Sequence, residues 1–343
     1  MDLIQTLTEL SATHGPAGSE YPVAALVSAL LRPHMDEVTL DPLGSVIGMR
    51  KSGQTNAKRV LIEAHMDEVG FVVTGQKDGF LTLSNLGSID PRHLPGTRLR
   101  VLTETPLVGV IACMPPHVLS ASDMDKVTPL SDLVLDLGLS TDEASAIPLG
   151  TPVVYDTVPM PMGEGLFSGK AMDNRASIAA VLLALESLPK ALDFDLFVLF
   201  SVQEELGMRG AQTAAYGIAP DIAVALDVTF AHTPDASPEQ TVPLGSGAAI
   251  GVGPVLCRTL SEQLTSLAGA NDIPHQFEIL PKTTSTTADK LQISRSGVPT
   301  ALISLPLRYM HSASELVALS DIEAVAALLT AFLCDLNGGE AYA

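Results

Sequence analysis

Histidine and carboxylate residues stand where the apolar runs of this 343-residue chain end. His65 and Asp67 follow RVLIEA (59–64), and Glu204 and Glu205 follow LFVLFSVQ (196–203). Asp227 lies near the end of IAVALDV (222–228), and His311 comes six residues after PTALISL (299–305). Asp173, in SGKAMDNRAS, precedes a helix-like run over 176–188. Two imidazoles and three carboxylates, with one Glu to spare and no sulfur, form a nitrogen and oxygen donor set. Such a set suits Zn²⁺, Co²⁺ or Mn²⁺ in a hydrolytic centre better than a structural zinc. Singly, each group has an ordinary reading: a hydrogen-bonding His, an acidic helix start, a capping Asp. Together those readings weaken, because only 17% of the chain is charged and an unpaired carboxylate at the edge of an apolar core is costly.

These residues need a scaffold that brings strand ends to one rim, which is what an α/β sheet does at its carboxyl edge. The runs at 45–49, 59–64, 196–202, 222–228 and 299–305 read as strands, all but the first of them buried. Helical spacing marks Tyr21–Leu31, stopped by Pro33, and also 176–188, 208–216, 259–268 and 322–336. Between about 67 and 160 the texture changes to short β-rich runs (GFVVTG, GFLTLSNLG, TRLRVLT, LVGVIACMP) separated by turn residues. A mixed, partly helical stretch interrupts them at 129–149. The expectation is a three-layer α/β/α domain from 1–66 and 161–343, carrying a small β-barrel-like domain inserted at 67–160. Residues 232–247, rich in Pro, Thr and Ser, read as a long surface loop.

Composition narrows the function. Hydrophobic residues at 46% exclude a disordered chain. A formal net charge of −20 argues against nucleic acid and against an acidic membrane surface as partners. No long apolar span or secretory leader is evident, so a cytoplasmic protein is expected. Cys113, Cys257 and Cys334 lack metal or disulfide spacing and are expected to be buried free thiols.

Taken together, AHMDEVG, SGKAMDNR, VQEELGMRGA, ALDV and RYMHS resemble the co-catalytic dinuclear metallo-aminopeptidases. Within them the chain is most similar to the glutamyl and deblocking aminopeptidases that assemble as tetrahedral dodecamers. The likeness spans essentially the whole length and includes PPHVL (115–119). It implies two divalent metal ions per subunit, with Zn²⁺ or Co²⁺ favoured over Mn²⁺. His65, Asp173 and Asp227 would hold one ion, and Asp173, Glu205 and His311 the other. Glu204 would be the general base that takes a proton from water and returns it to the leaving amine, and Asp67 would orient the His65 imidazole. Asp173–Asn174 resembles a position that is a cis peptide in related enzymes. The activity implied is removal of the N-terminal residue from short peptides. The inserted domain would mediate dimers, and twelve chains would build the particle. One segment departs from the family pattern: TTSTTADKL (283–291) replaces a Gly-Thr-Asp-Ala type sequence near the substrate pocket. That departure bears on side-chain preference and leaves the ligand set intact.

Three other readings compete. An N-acyl amino acid deacylase or carboxypeptidase of the same clan would need a cationic clamp, for which Arg175, Arg209 and Arg308 are the nearby candidates. A glycan hydrolase would need two opposed carboxylates and usually stacking aromatics, whereas this chain has no Trp. A non-catalytic scaffold would require the site to have decayed.

Overall fold

The computed structural model describes residues 1–120, 122 and 126–337. The first strands are β1 (Glu37–Leu40), β2 (Val46–Arg50) and β3 (Arg59–His65), followed by β4 (Gly70–Lys77), β5 (Phe80–Leu86), β6 (Arg98–Val101), β7 (Leu107–Ala112), β8 (Val134–Asp136) and β9 (Pro152–Tyr155). Then come β10 (Met160–Met162), β11 (Leu166–Gly169), β12 (Asp195–Ser201), β13 (Ile222–Phe230), β14 (Ala248–Val252), β15 (His275–Ile279), β16 (Thr300–Arg308) and β17 (Glu315–Ala318). The helices are α1 (Leu3–Ala12), α2 (Tyr21–Leu31), α3 (Thr141–Ser145), α4 (Met172–Ser187), α5 (Arg209–Ile218), α6 (Arg258–Ala270), α7 (Ala288–Leu291) and α8 (Leu319–Leu336).

Among the described residues, eleven strands form one sheet in the order β1-β2-β12-β3-β13-β16-β17-β11-β10, with β14 paired to β16 and β15 to β14. Its centre, β12-β3-β13-β16, is parallel throughout. Successive side chains of these strands face opposite layers. Val60, Ile62, Val198, Val224 and Leu226 pack into the larger core with α1, α2, α4, α6 and α8. Leu61, Leu199, Ala223 and Ala225 pack into a smaller core with α5 and α7. Both faces are covered, so the runs are apolar without a break. This is the expected three-layer α/β/α architecture.

The remaining strands close a barrel in the order β4-β5-β8-β7-β6-β9. It has its own core, which includes Phe71, Val73, Leu81, Leu99, Ile111, Leu135 and Val153. Closure leaves no open sheet edge in this unit. The barrel strands lie between Gly70 and Tyr155 in the chain.

Several elements differ from expectation. The last central strand continues to Arg308, so His311 is three residues beyond it. The stretch 129–149 holds the short strand β8 and the five-residue helix α3, which starts at a Ser140–Glu143 capping box. The strands β10, β11, β14, β15 and β17 were not anticipated. The cysteines are free but not buried: Cys113 and Cys334 are exposed and Cys257 is half-buried. Cys334 lies on the solvent side of α8, whose Phe332 and Leu333 face the core. Residues 232–247 contain no helix or strand and are held by a bridge between Ala231 and Val242 and by the Gly245 and Gly247 N–H groups, which donate to Asp321. Among the described residues, no helix is long and apolar enough to cross a membrane.

A buried ion pair joins the exit of β3 to the entry of α4. Lys170 Nζ donates to both oxygens of Glu68 at 2.6 and 2.7 Å, and both residues are about 1% exposed. Beside them, Arg175 donates to the carbonyls of Met66, Leu10 and Thr13. Removing one partner of such a pair leaves the other charge buried without compensation. Lys170→Met is therefore expected to destabilise the protein by about 3–5 kcal/mol in urea denaturation. A loss below about 1 kcal/mol would show that Glu68 is satisfied by the Gly15 N–H, 2.8 Å from its Oε1, and by Arg175 Nη2, 3.7 Å from the same oxygen.

Candidate active site at the carboxyl edge of the central strands

His65 is the last residue of β3, and its Nε2 lies 3.0 Å from Asp173 Oδ1 and 3.9 Å from Asp227 Oδ1. On the other side, His311 Nε2 lies 3.2 Å from Asp173 Oδ2 and 3.2 Å from Glu205 Oε1. The two oxygens of Asp173 thus face two different imidazoles. Donor atoms of His65, Asp173 and Asp227 lie within 4.8 Å of one another, as do those of Asp173, Glu205 and His311. All five residues named as ligand candidates come together, although they span 247 positions from His65 to His311.

Local backbone explains how Asp173 reaches both sides. The opening of α4 is not helical at Asp173 and Asn174, and the bond between them is cis. The Asn174 amide donates to the Leu226 carbonyl at 2.8 Å, which anchors the turn to β13. The Asp173 N–H donates to Glu315 Oε2 at 3.0 Å. Glu315 Oε1 accepts from the His311 N–H at 2.8 Å, so one carboxylate ties both ligand-bearing turns.

Asp67 is fully buried beside the same imidazole, its Oδ1 3.5 Å from His65 Nδ1. Its oxygens also accept the backbone N–H groups of Glu204 at 2.9 Å and Glu205 at 3.1 Å. His311 Nδ1 lies 2.6 Å from the Ser88 carbonyl, which can only accept, so Nδ1 carries the proton. Ser88 follows β5 of the barrel. Its neighbour Gly87 has φ +83°, and a Cβ built there would sit 2.8 Å from Val69 Cγ1, 2.9 Å from Glu205 Oε2 and 3.2 Å from Glu205 Cβ. The barrel therefore helps to shape the Glu205–His311 half.

Glu315, Gly87 and Ser88 were not identified from sequence. Glu315 carries a signal, four residues after His311 in HSASE. The Ser88 contact is a backbone carbonyl and leaves none.

Burial and mutual charge dominate the electrostatics. Burial pushes the Glu204 carboxyl up to about 8; His65 opposes the rise, while Glu205, Asp67 and Asp173 add to it. Burial likewise raises Glu205 and lifts Asp227 well above the ordinary carboxylate range. For His311, burial favours the neutral ring, but hydrogen bonds and charges from Asp173 and Glu205 outweigh it and raise the pKa to about 11. His65 follows the same pattern with Asp173 and Asp67. Burial also works against the Asp173 carboxylate, yet its bonds from His311 and His65 hold its pKa below the usual value.

These residues fit a pair of divalent cations. The donors are all nitrogen and oxygen, the bridging carboxylate offers one oxygen to each side, and a Nε2 proton on each imidazole stands where a cation's charge would act. The Asp67 carboxylate and the Ser88 carbonyl lie at the Nδ1 atoms, as outer partners of metal-bound histidines do.

Of the three arginines considered as a clamp, only Arg175 is held by more than one described carbonyl. Arg175 is fully buried on three carbonyls, Arg209 Nε donates to the Leu206 carbonyl, and Arg308 Nε donates to the His232 carbonyl. The 283–291 segment is knotted by Asp289, which accepts from the Thr284 N–H and hydroxyl and from the Ser285 N–H. It is tied to β3 through a hydrogen bond from the Thr287 hydroxyl to Glu63. Glu63 is buried and also accepts from Ser201 Oγ; burial raises its carboxyl to about 7.

The model of the M42 glutamyl aminopeptidase family matches residues 44–328. A lysyl aminopeptidase of Pyrococcus furiosus is 32% identical over 340 residues, covering 97% of each chain. An aminopeptidase from the archaeon Desulfurococcus kamchatkensis superposes with a TM-score of 0.90 at 36% identity, covering 96% of this chain and 94% of that one. The TET1 peptidase of Pyrococcus horikoshii, which can assemble into a tetrahedron or a large octahedral shell, gives 0.84 at 27% identity, covering 97% and 99%.

Gly87→Ala is expected to press on Glu205 and shift the Ser88 carbonyl. Calorimetric titration with Co²⁺ should show one binding step weakened about 10–100-fold, the scale of losing an outer partner of a ligand. The other step should stay within about threefold of its original affinity. Equal weakening of both steps would show that Gly87 does not act on one half of the site.

Proposed function

Because the chain belongs to the M42 glutamyl aminopeptidase family and is a peptide-bond hydrolase, we propose that it removes the N-terminal residue from short peptides using two divalent cations. His65, Asp173 and Asp227 would hold one cation and Asp173, Glu205 and His311 the other. The observation that supports this reading best is the Asp173 carboxylate, with one oxygen 3.0 Å from His65 and the other 3.2 Å from His311. Zn²⁺ and Co²⁺ suit the donor set best, and Mn²⁺ is compatible with it. When bound, such cations supply Lewis acidity, which lowers the pKa of water and polarises the scissile carbonyl.

The side chains of the protein do the remaining work. Glu204 accepts a proton from the attacking water and delivers it to the leaving amine. Its backbone N–H, held by Asp67, fixes the start of that side chain. Asp67 faces His65 Nδ1 and the Ser88 carbonyl accepts a hydrogen bond from His311 Nδ1–H, so each ring turns Nε2 toward Asp173. Recognition of the free α-amine at this centre restricts cleavage to the first residue.

Residues 67–160 form the dimerisation domain in this proposal, and the cytoplasmic chain builds dimers and then a dodecamer. The assembly of the Pyrococcus horikoshii relative supports that reading. So do the apolar side chains that the barrel and the adjoining hairpin leave exposed, Val108, Val110, Val158, Met160 and Met162.

Glu204→Gln is expected to keep both cations, counted by elemental mass spectrometry, and to lose about 10²–10⁴-fold in kcat on leucyl-p-nitroanilide. Turnover at the original rate would remove Glu204 as the base. Native mass spectrometry should show a particle of twelve 35.8 kDa chains, and a monomer at micromolar concentration would refute the assembly.

A further inference from the structure

The turn after β12 has three consecutive backbone N–H groups that donate to carboxylates. Glu204 and Glu205 donate to the two oxygens of Asp67, at 2.9 and 3.1 Å. The one before them, Gln203, donates to Glu20 Oε1 at 3.1 Å. Gln203 has φ +55°, a left-handed conformation that a residue with a side chain seldom holds without outside support. The far end of the turn is left-handed as well, with Met208 at φ +61°. Between them, the Gly207 and Met208 N–H groups close on the Glu204 carbonyl and the Arg209 N–H on the Gln203 carbonyl. The direction in which Glu204 leaves the backbone is therefore set by the conformation of the residue immediately before it.

Glu20 comes 183 positions before Gln203. It occupies the N-cap position of α2 but makes no side-chain cap. Instead the residue is buried, 5% exposed, and Oε1 also accepts the Gly18 N–H at 2.8 Å. One oxygen that accepts from two N–H groups on separate segments suits an element that must hold a left-handed residue.

We propose that Glu20 is a positioning residue for the reaction: its carboxylate holds Gln203 left-handed and, with Asp67, aims Glu204. This rests on the assignment of Glu204 as the base, and it adds a residue outside the motifs that carry the ligands. Glu20 touches neither substrate nor cation and acts only through Gln203.

The test uses the full-length, cation-loaded protein with leucyl-p-nitroanilide. Glu20→Ala should lower kcat about 10–100-fold, the scale of a misplaced group. KM should stay within about twofold and cation content should not change. Glu20→Gln keeps an oxygen that accepts from both N–H groups and should restore kcat to within about threefold. Glu20→Asp retains the charge but draws it back from Gln203, and should lose kcat in the same sense even if the alanine variant folds poorly. The proposal is overturned if Glu20→Ala or Glu20→Asp keeps the original kcat, or if kcat falls only in proportion to the folded fraction measured by circular dichroism. Turnover retained by Glu204→Gln would instead overturn the base assignment, so the two failures are distinct.

Discussion

The whole arrangement depends on holding one carboxylate still. Asp173 offers an oxygen to His65 at 3.0 Å and an oxygen to His311 at 3.2 Å. A rotation that favoured one imidazole would abandon the other. The turn at the start of α4 therefore gives up helical geometry, and its amide and N–H groups are spent on Leu226 and Glu315. Burial works against the Asp173 carboxylate, and the bonds from His311 and His65 hold its pKa below the usual value; two cations would take that part in the proposed function.

Around this centre, acids that are not ligand candidates do the holding. Asp67 accepts from Glu204 and Glu205, Glu315 from Asp173 and His311, Glu20 from Gln203 and Gly18. Glu68 accepts from Gly15 and pairs with Lys170. A carboxylate has two oxygens and so can bridge backbone segments distant in sequence. That property explains why a site already crowded with negative charge recruits more of it. Each added acid fixes the backbone of a turn through the N–H groups it accepts, and Glu68 also pairs with Lys170.

Much of this was legible in the sequence because the chemistry sits at the ends of apolar runs. β3, β12, β13 and β16 are covered on both faces, so they read as strands without knowledge of their neighbours. His65 ends β3, Asp227 lies near the end of β13, Glu205 and His311 follow β12 and β16, and Asp173 stands in the first turn of α4. The strands that escaped detection are short or carry no such run: β10 is three residues, all exposed, and β15 is HQFEI with Phe277 and Ile279 exposed at an edge. Residue types also misled in places. The cysteines were expected inside on their chemistry alone, yet Cys334 follows two core residues of α8 and turns outward. Arg175, one of three candidates for the clamp that a deacylase or carboxypeptidase would need, is a buried brace for backbone carbonyls. The segment at 283–291 was singled out for its departure from pattern; what the letters could not show is that Thr287 ties it to Glu63, two residues before His65.

The least legible feature is the asymmetry of the two halves. His65, Asp173 and Asp227 lie wholly within the α/β layers and are buried. The other half is finished by the barrel: Ser88 fixes the His311 tautomer, Tyr155 donates to the His311 carbonyl, Thr157 donates to the Ala313 carbonyl, and Gly87 leaves room for Glu205. Backbone carbonyls and a missing Cβ carry most of these contacts, so no residue type announces them. The His311 side chain is 23% exposed whereas that of His65 is 2% exposed, so the imidazole that the barrel holds in place is also the one nearer to solvent.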